Sequence, residues 1–203
     1  MKTTLLGLNL VLSLTLISAQ EFVPPDQAEK AALQLVGEAV RIKGLPLQVD
    51  LDPVKAFAMT VKNKGYASLV LPDKALSKEA LARTGKTVMP LGQLWLNKLT
   101  PAVQSKGTPG DQLNLVDVTF KNTDQRLVLL LLGVQKSDKG ELELLVYGKE
   151  KKPLLKLPLR KSSPSQELPL ELDMRPGGEA LGTIVIKVLG AYEAALPVAE
   201  LEP

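Results

Sequence analysis

Histidine and cysteine are both missing from this 203-residue chain. Their absence excludes His-based acid–base catalysis, Ser-His and Cys-His nucleophiles, zinc held by His or Cys, disulfides, haem attachment and thiol redox chemistry. Aromatic residues make up only 3% of the chain, too few to line a typical sugar cleft or a base-stacking groove. A strong charge of one sign is also lacking. Lys and Arg number 25 against 22 Asp and Glu, a net charge of +3 that implies no nucleic-acid partner. No cofactor and no metal centre is expected, because no D-x-D-x-D-G loop or other ligand spacing occurs.

What is present begins with a targeting signal. Lys2 precedes an apolar stretch over residues 5–17, and Ser18-Ala19 offers a small-residue cleavage site before Gln20. The stretch is shorter than the roughly 20 residues that span a bilayer, so residues 1–19 read as a cleaved signal peptide and the protein as exported, periplasmic or extracellular. No later run has the length of a membrane-crossing helix. Residues 127–134 are the most apolar and suit a central strand buried on both faces. An exported chain without disulfides must be held by its core, and a chain of this size buries about 70% of its unfolded surface.

The remainder divides by periodicity. Ala28, Ala32, Leu35, Val36, Ala39 and Ile42 share a helical stripe, so an amphipathic helix is expected over 27–43. Asp26 with Glu29 would form its capping box, and Gly44 its C-terminal stop. The period then changes to two: Leu45, Leu47, Val49 and Leu51 alternate with polar residues as in a half-buried strand. Residues 54–61 and 66–71 flank a hairpin turn at Lys62-Asn63-Lys64-Gly65, and Ser77 caps a short helix ended by Gly85. A strand is expected over 91–99. Residues 104–111 (QSKGTPGD) read as a linker, and the chain beyond it as all-β.

In that half, a parity switch over 113–120 suggests a bulge. Pro158 and Pro169 place their strands at sheet edges, and Arg175-Pro176-Gly177-Gly178 reads as a turn. The expected class is therefore mainly β. A C-terminal antiparallel β-sandwich of immunoglobulin-like or C2-like architecture (residues 112–203) follows a smaller α+β region (residues 20–105) with one amphipathic N-terminal helix.

Few residues point to chemistry. Thr84-Gly85-Lys86-Thr87 resembles the end of a phosphate-binding loop, but Ala80 stands where that motif needs Gly, so a helix end and turn is the reading. Asp50 with Asp52, and Glu141 with Glu143, are same-face carboxylate pairs, and solvated strand faces explain them. Trp95 shares its strand face with Gln93, Asn97 and Leu99, which reads as core packing with partner contact as the alternative. Lys149, Lys151, Lys152, Lys156 and Arg160 form the one basic cluster, extended by Lys161. A solvated hairpin tip with edge-guarding lysines is the reading, and contact with a protein or an anionic partner such as an acidic polysaccharide or lipid headgroup is the alternative.

Three functions compete. The first is an exported, non-enzymatic adaptor that binds another macromolecule. The second is a carrier or sensor for an apolar ligand, which requires a closed apolar cavity of roughly 300 Å³ or more. The third is an Asp/Glu hydrolase, which requires convergent carboxylates in a cleft.

Overall fold

The computed structural model describes residues 20–120, 122–163, 165–175 and 182–202. The expected signal peptide, residues 1–19, and the body of the turn at 176–178 lie outside them. The elements in chain order are β1 (Gln20–Phe22), α1 (Pro25–Ala39), β2 (Phe57–Val61), β3 (Tyr66–Pro72), α2 (Lys78–Arg83), β4 (Met89–Asn97), β5 (Leu99–Val103), β6 (Lys106–Gly107), β7 (Asn114–Phe120), β8 (Thr123–Lys136), β9 (Leu142–Tyr147), β10 (Leu155–Pro158), β11 (Arg160–Lys161), β12 (Leu170–Arg175), β13 (Gly182–Val188) and β14 (Tyr192–Glu200).

These strands build two antiparallel sheets. The first has eight strands in the order β1-β2-β3-β4-β8-β9-β10, with β7 also on β8. The second has six, in the order β12-β13-β14-β5-β6, with β11 on β14. β8 is long enough to serve three neighbours: residues 127–134 pair with β4, residues 123–129 with β7 and residues 131–136 with β9.

Strand alternation on β8 explains the layering. Val128, Leu130, Leu132 and Val134 enter a core shared with Leu172, Ile184, Ile186 and Leu196 of the second sheet. Leu127, Leu129 and Leu131 enter a second core with Ala28, Ala32, Leu35 and Ala39 of α1. The first sheet is thus buried on both faces, by a sheet on one side and a helix on the other. A strand in that position has no water-facing side and needs no polar alternation, as the run at 127–134 led one to expect. Pro158 lies in β10 and Pro169 directly precedes β12, both at sheet edges. There, a residue without an N–H breaks no ladder bond.

Several local expectations are corrected. α1 starts at Pro25, one residue before Asp26, and no side chain caps it. Asp26 is therefore already helical, and the capping box with Glu29 does not form. The helix stops at Ala39, short of residue 43. Arg41 and Ile42 then make tight bonds three residues back, to Glu38 and Ala39, and Gly44 takes its positive φ of 76° in the turn beyond. Residues 45–51 form no strand: Leu51 makes a single bridge to Asp73, while Leu45, Leu47 and Val49 lie half-buried against the helix-side core. β7 pairs with β8 without a break in register, so the bulge expected over 113–120 is absent. Leu113 belongs to the turn before β7, which accounts for the parity switch. The register break lies instead between Pro90 and Gly92 of β4. α2 forms as expected, with Ala80 N–H donating to Ser77 Oγ at 3.1 Å.

Strands from both sides of the 104–111 segment share both sheets: β4 pairs with β8, and β5 with β14. A protease cut at 104–111 is therefore expected to leave a nicked protein that runs as one species on a native gel and as two fragments in denaturant. Two fragments separating without denaturant would show that residues 20–105 and 112–203 are independent domains.

Candidate functional site

The basic residues spread along the chain path. Lys149, Lys151 and Lys152 are exposed in the connection between β9 and β10. Lys156 projects from β10 into a hollow shared with Lys86, Lys136 and Lys139, and with Asp138, Glu141 and Glu143. Opposite charges meet there, with Lys86 Nζ at 2.8 Å from Asp138. Arg160 lies on the other sheet, in register with Glu193. Of the predicted cluster, Lys149, Lys151 and Lys152 stay together, and Glu150 interrupts them.

Asp50, Asp52 and Asp73 gather around Lys74 and together raise its pKa, Asp50 most strongly, whereas Glu141 and Glu143 border a separate hollow. Asp50 pairs with Lys74 at 2.9 Å and Asp52 with Lys55 at 3.0 Å. Asp73 accepts the backbone N–H groups of Asp50 at 2.9 Å and Ala75 at 2.8 Å. Among the described residues no group of three or more Asp or Glu side chains is placed to hold a metal ion.

Trp95 is 2% exposed and packs in the layer between the first sheet and α1. Its indole N–H donates to Gln93 Oε1 at 3.1 Å. Gln93 is itself only 3% exposed. The indole nitrogen can only donate, so the Gln93 atom facing it must be the carbonyl oxygen, and the amino group points the other way. No described residue accepts a hydrogen bond from that amino group. Nor is it sealed in: Ser68 Oγ, on a residue paired with Met59 and Leu96, is the buried polar atom without a partner among the described residues. Gln93 Nε2 therefore opens onto a cavity.

That cavity is a cleft of about 720 Å³ with Gln93 at its base. One wall is the end of α1, through Val36, Ala39 and Val40; the other is the segment after it, through Ile42, Leu45, Leu47, Val49 and Leu51. Segment 40–52 carries no helix or strand. Loops beyond about 12 residues are uncommon in compact folds and are usually functional or disordered. This one is pinned at its far end. Asp52 N–H donates to Pro72 O at 3.0 Å and Lys74 N–H to Asp50 O at 2.7 Å. At the mouth, Lys74 Nζ holds Asp50, and that hydrogen bond raises the Lys74 pKa. A smaller hollow of about 180 Å³ lies on the Trp95 side, over Ala58, Ala67 and Leu69 beneath α1. Gln93 lines the larger cleft and its partner Trp95 the smaller hollow.

Sequence reasoning noticed Gln93 only as a neighbour of Trp95. The available signal is a carboxamide between Leu91 and Leu94, on the face that Trp95 shares, in the middle of a strand whose other polar side chain, Asn97, lies at its end. No family model, curated protein or solved structure matches this chain.

Proposed function

We propose that this is an exported, non-enzymatic binding protein that holds a small apolar molecule in the cleft beside α1. The observation that carries the reading is the cleft itself. Its volume of about 720 Å³ falls within the usual range for ligand pockets, roughly 300–1,000 Å³. It is an open cleft, and in this it departs from the closed cavity expected of a carrier. Leu45, Leu47, Val49 and Leu51 are only half-buried around it. A ligand that covered them would gain about 25 cal/mol for each Å² of apolar surface removed from water.

The test is to fill the cleft. A naphthylamine probe is expected to bind the full chain at one site, and Val49→Trp to weaken it at least tenfold while the circular dichroism spectrum stays unchanged. Equal binding by the two proteins would remove the cleft as the site.

One observation favours the macromolecular-adaptor reading. Leu33 (56% exposed) on α1 and Val40 (80% exposed), just past its end at the rim of the cleft, flank Gly37, and a Cβ at Gly37 would meet nothing within 4 Å. Within this chain the glycine has no packing role, yet it costs the helix about 1 kcal/mol against alanine. Gly37→Ala is thus expected to raise stability by about that amount in urea unfolding. If this part of α1 docks a partner helix closely, the same substitution weakens recovery of that partner from the exported fraction. Unchanged recovery would count against docking there.

A further inference from the structure

We infer that the cleft selects an uncharged aliphatic amphiphile: a hydrocarbon body carrying one hydrogen-bond-accepting oxygen, of ester or ketone type, that meets Gln93 Nε2. The inference rests on the binding reading above and adds the chemistry of the ligand.

Three features of the lining lead to it. The first is the donor at the base. Gln93 is nearly buried and lines the cleft, and Trp95 takes its oxygen, which leaves the amino group as the part of this side chain that can meet a ligand. A desolvated donor left unmet costs about 1–3 kcal/mol. A pure hydrocarbon that displaced water from the base would incur that cost, and a carbonyl oxygen would remove it.

The second is charge. Asp50 and Lys74 are the ionised side chains lining the cleft, and they pair with each other at its exposed mouth, 76% and 57% accessible. A carboxylate or ammonium group carried down to Gln93 would find no counter-charge, and burying an unpaired ion is far costlier than burying a neutral dipole. The third is shape. Apart from exposed Gln48, and from Gly44 and Pro53, the uncharged walls are Val, Ile, Leu and Ala, with no aromatic ring among them. Flexible aliphatic chains suit such walls, whereas flat ring systems would lack a stacking partner.

The chain also supplies its own reporter. Trp95 is its single tryptophan, and its indole N–H bonds the carboxamide that would meet the ligand. An acceptor at Nε2 polarises that hydrogen-bonded chain and is expected to shift Trp95 emission.

The experiment titrates the exported full chain at pH 8 with methyl decanoate, sodium decanoate and decane, following Trp95 emission and calorimetry. Methyl decanoate is expected to bind at least tenfold more tightly than either of the others and to shift the emission. Gln93→Leu is expected to bring the ester down to the affinity of decane. Decanoate binding as tightly as the ester would overturn the neutral-ligand inference and leave the binding proposal standing. Ester and decane binding alike to the native chain would overturn the role of Gln93, and this ratio decides the point even if Gln93→Leu fails to fold. If neither ester nor decane binds, the binding proposal itself fails.

Discussion

Gly92→Ala is expected to lower stability by about 3 kcal/mol or more, since backbone strain and overpacking each contribute roughly 1–3 kcal/mol. Gly92 sits at the register break of β4 with a φ of +153°, which L side chains rarely adopt. A Cβ there would lie 2.0 Å from Leu71 O, 3.0 Å from Leu71 C and 3.1 Å from Pro72 Cα. All three atoms are backbone of the adjoining strand β3, so no side chain can swing aside. Relief would require β3 and β4 to part where Pro72 opposes Gly92. The next residue is Gln93, so the same shift would move the base of the cleft. A urea-unfolding midpoint should show the loss, with Gly85→Ala as control. A Cβ at Gly85 meets nothing within 4 Å, and its change should stay within about 0.5 kcal/mol. A loss under about 1 kcal/mol at Gly92 would show that the two strands can separate there at little cost.

Gly92 also marks where the sequence stops being informative. A glycine inside a strand pattern signals a bulge or a close backbone approach, without saying which strand approaches. The same limit applies to residues 45–51. Their period of two correctly reports that Leu45, Leu47, Val49 and Leu51 face inward. Alternation is a property of any extended backbone, however, and a ladder also needs a free edge. Only Leu51 reaches one, at Asp73. Where pattern and partner are both local, the reading matches the structure closely. The hairpin at residues 62–65 joins β2 to β3, Ser77 caps α2, and Ser137 to Gly140 turn β8 into β9. The cleft was illegible for a different reason. A single glutamine among leucines looks like the wet face of a half-buried strand. It becomes a buried donor only because α1, more than fifty residues earlier in the chain, covers that face.

That cover should be as firm as the sandwich. Leu129 and Leu130 are adjacent on β8, and each is fully buried. Leu129 is in register with Trp95 and packs toward α1; Leu130 is in register with Leu94 and packs toward the second sheet. Truncation of a buried leucine removes its transfer energy and leaves a cavity, at a combined cost of about 2–5 kcal/mol. Both Leu129→Ala and Leu130→Ala are expected in that range. The actual cost depends on how far the surroundings collapse into the gap. The comparison therefore measures the stiffness of the two layers separately. If α1 lay loosely on the sheet, it would settle into the gap and Leu129→Ala would cost less than about 1 kcal/mol, well below its neighbour. Equal losses would mean that the helix is held as rigidly as the second sheet. The two side chains belong to different cores but share one stretch of backbone, so any departure of the double variant from the sum of the single losses measures coupling between the two layers. For a domain with about 5–15 kcal/mol in total, that sum approaches global unfolding. A rigid α1 matters to the cleft because its last turn forms one wall. With α1 fixed and segment 50–52 pinned to β3, the part of the wall left to adjust to a ligand is the aliphatic stretch between residues 42 and 49.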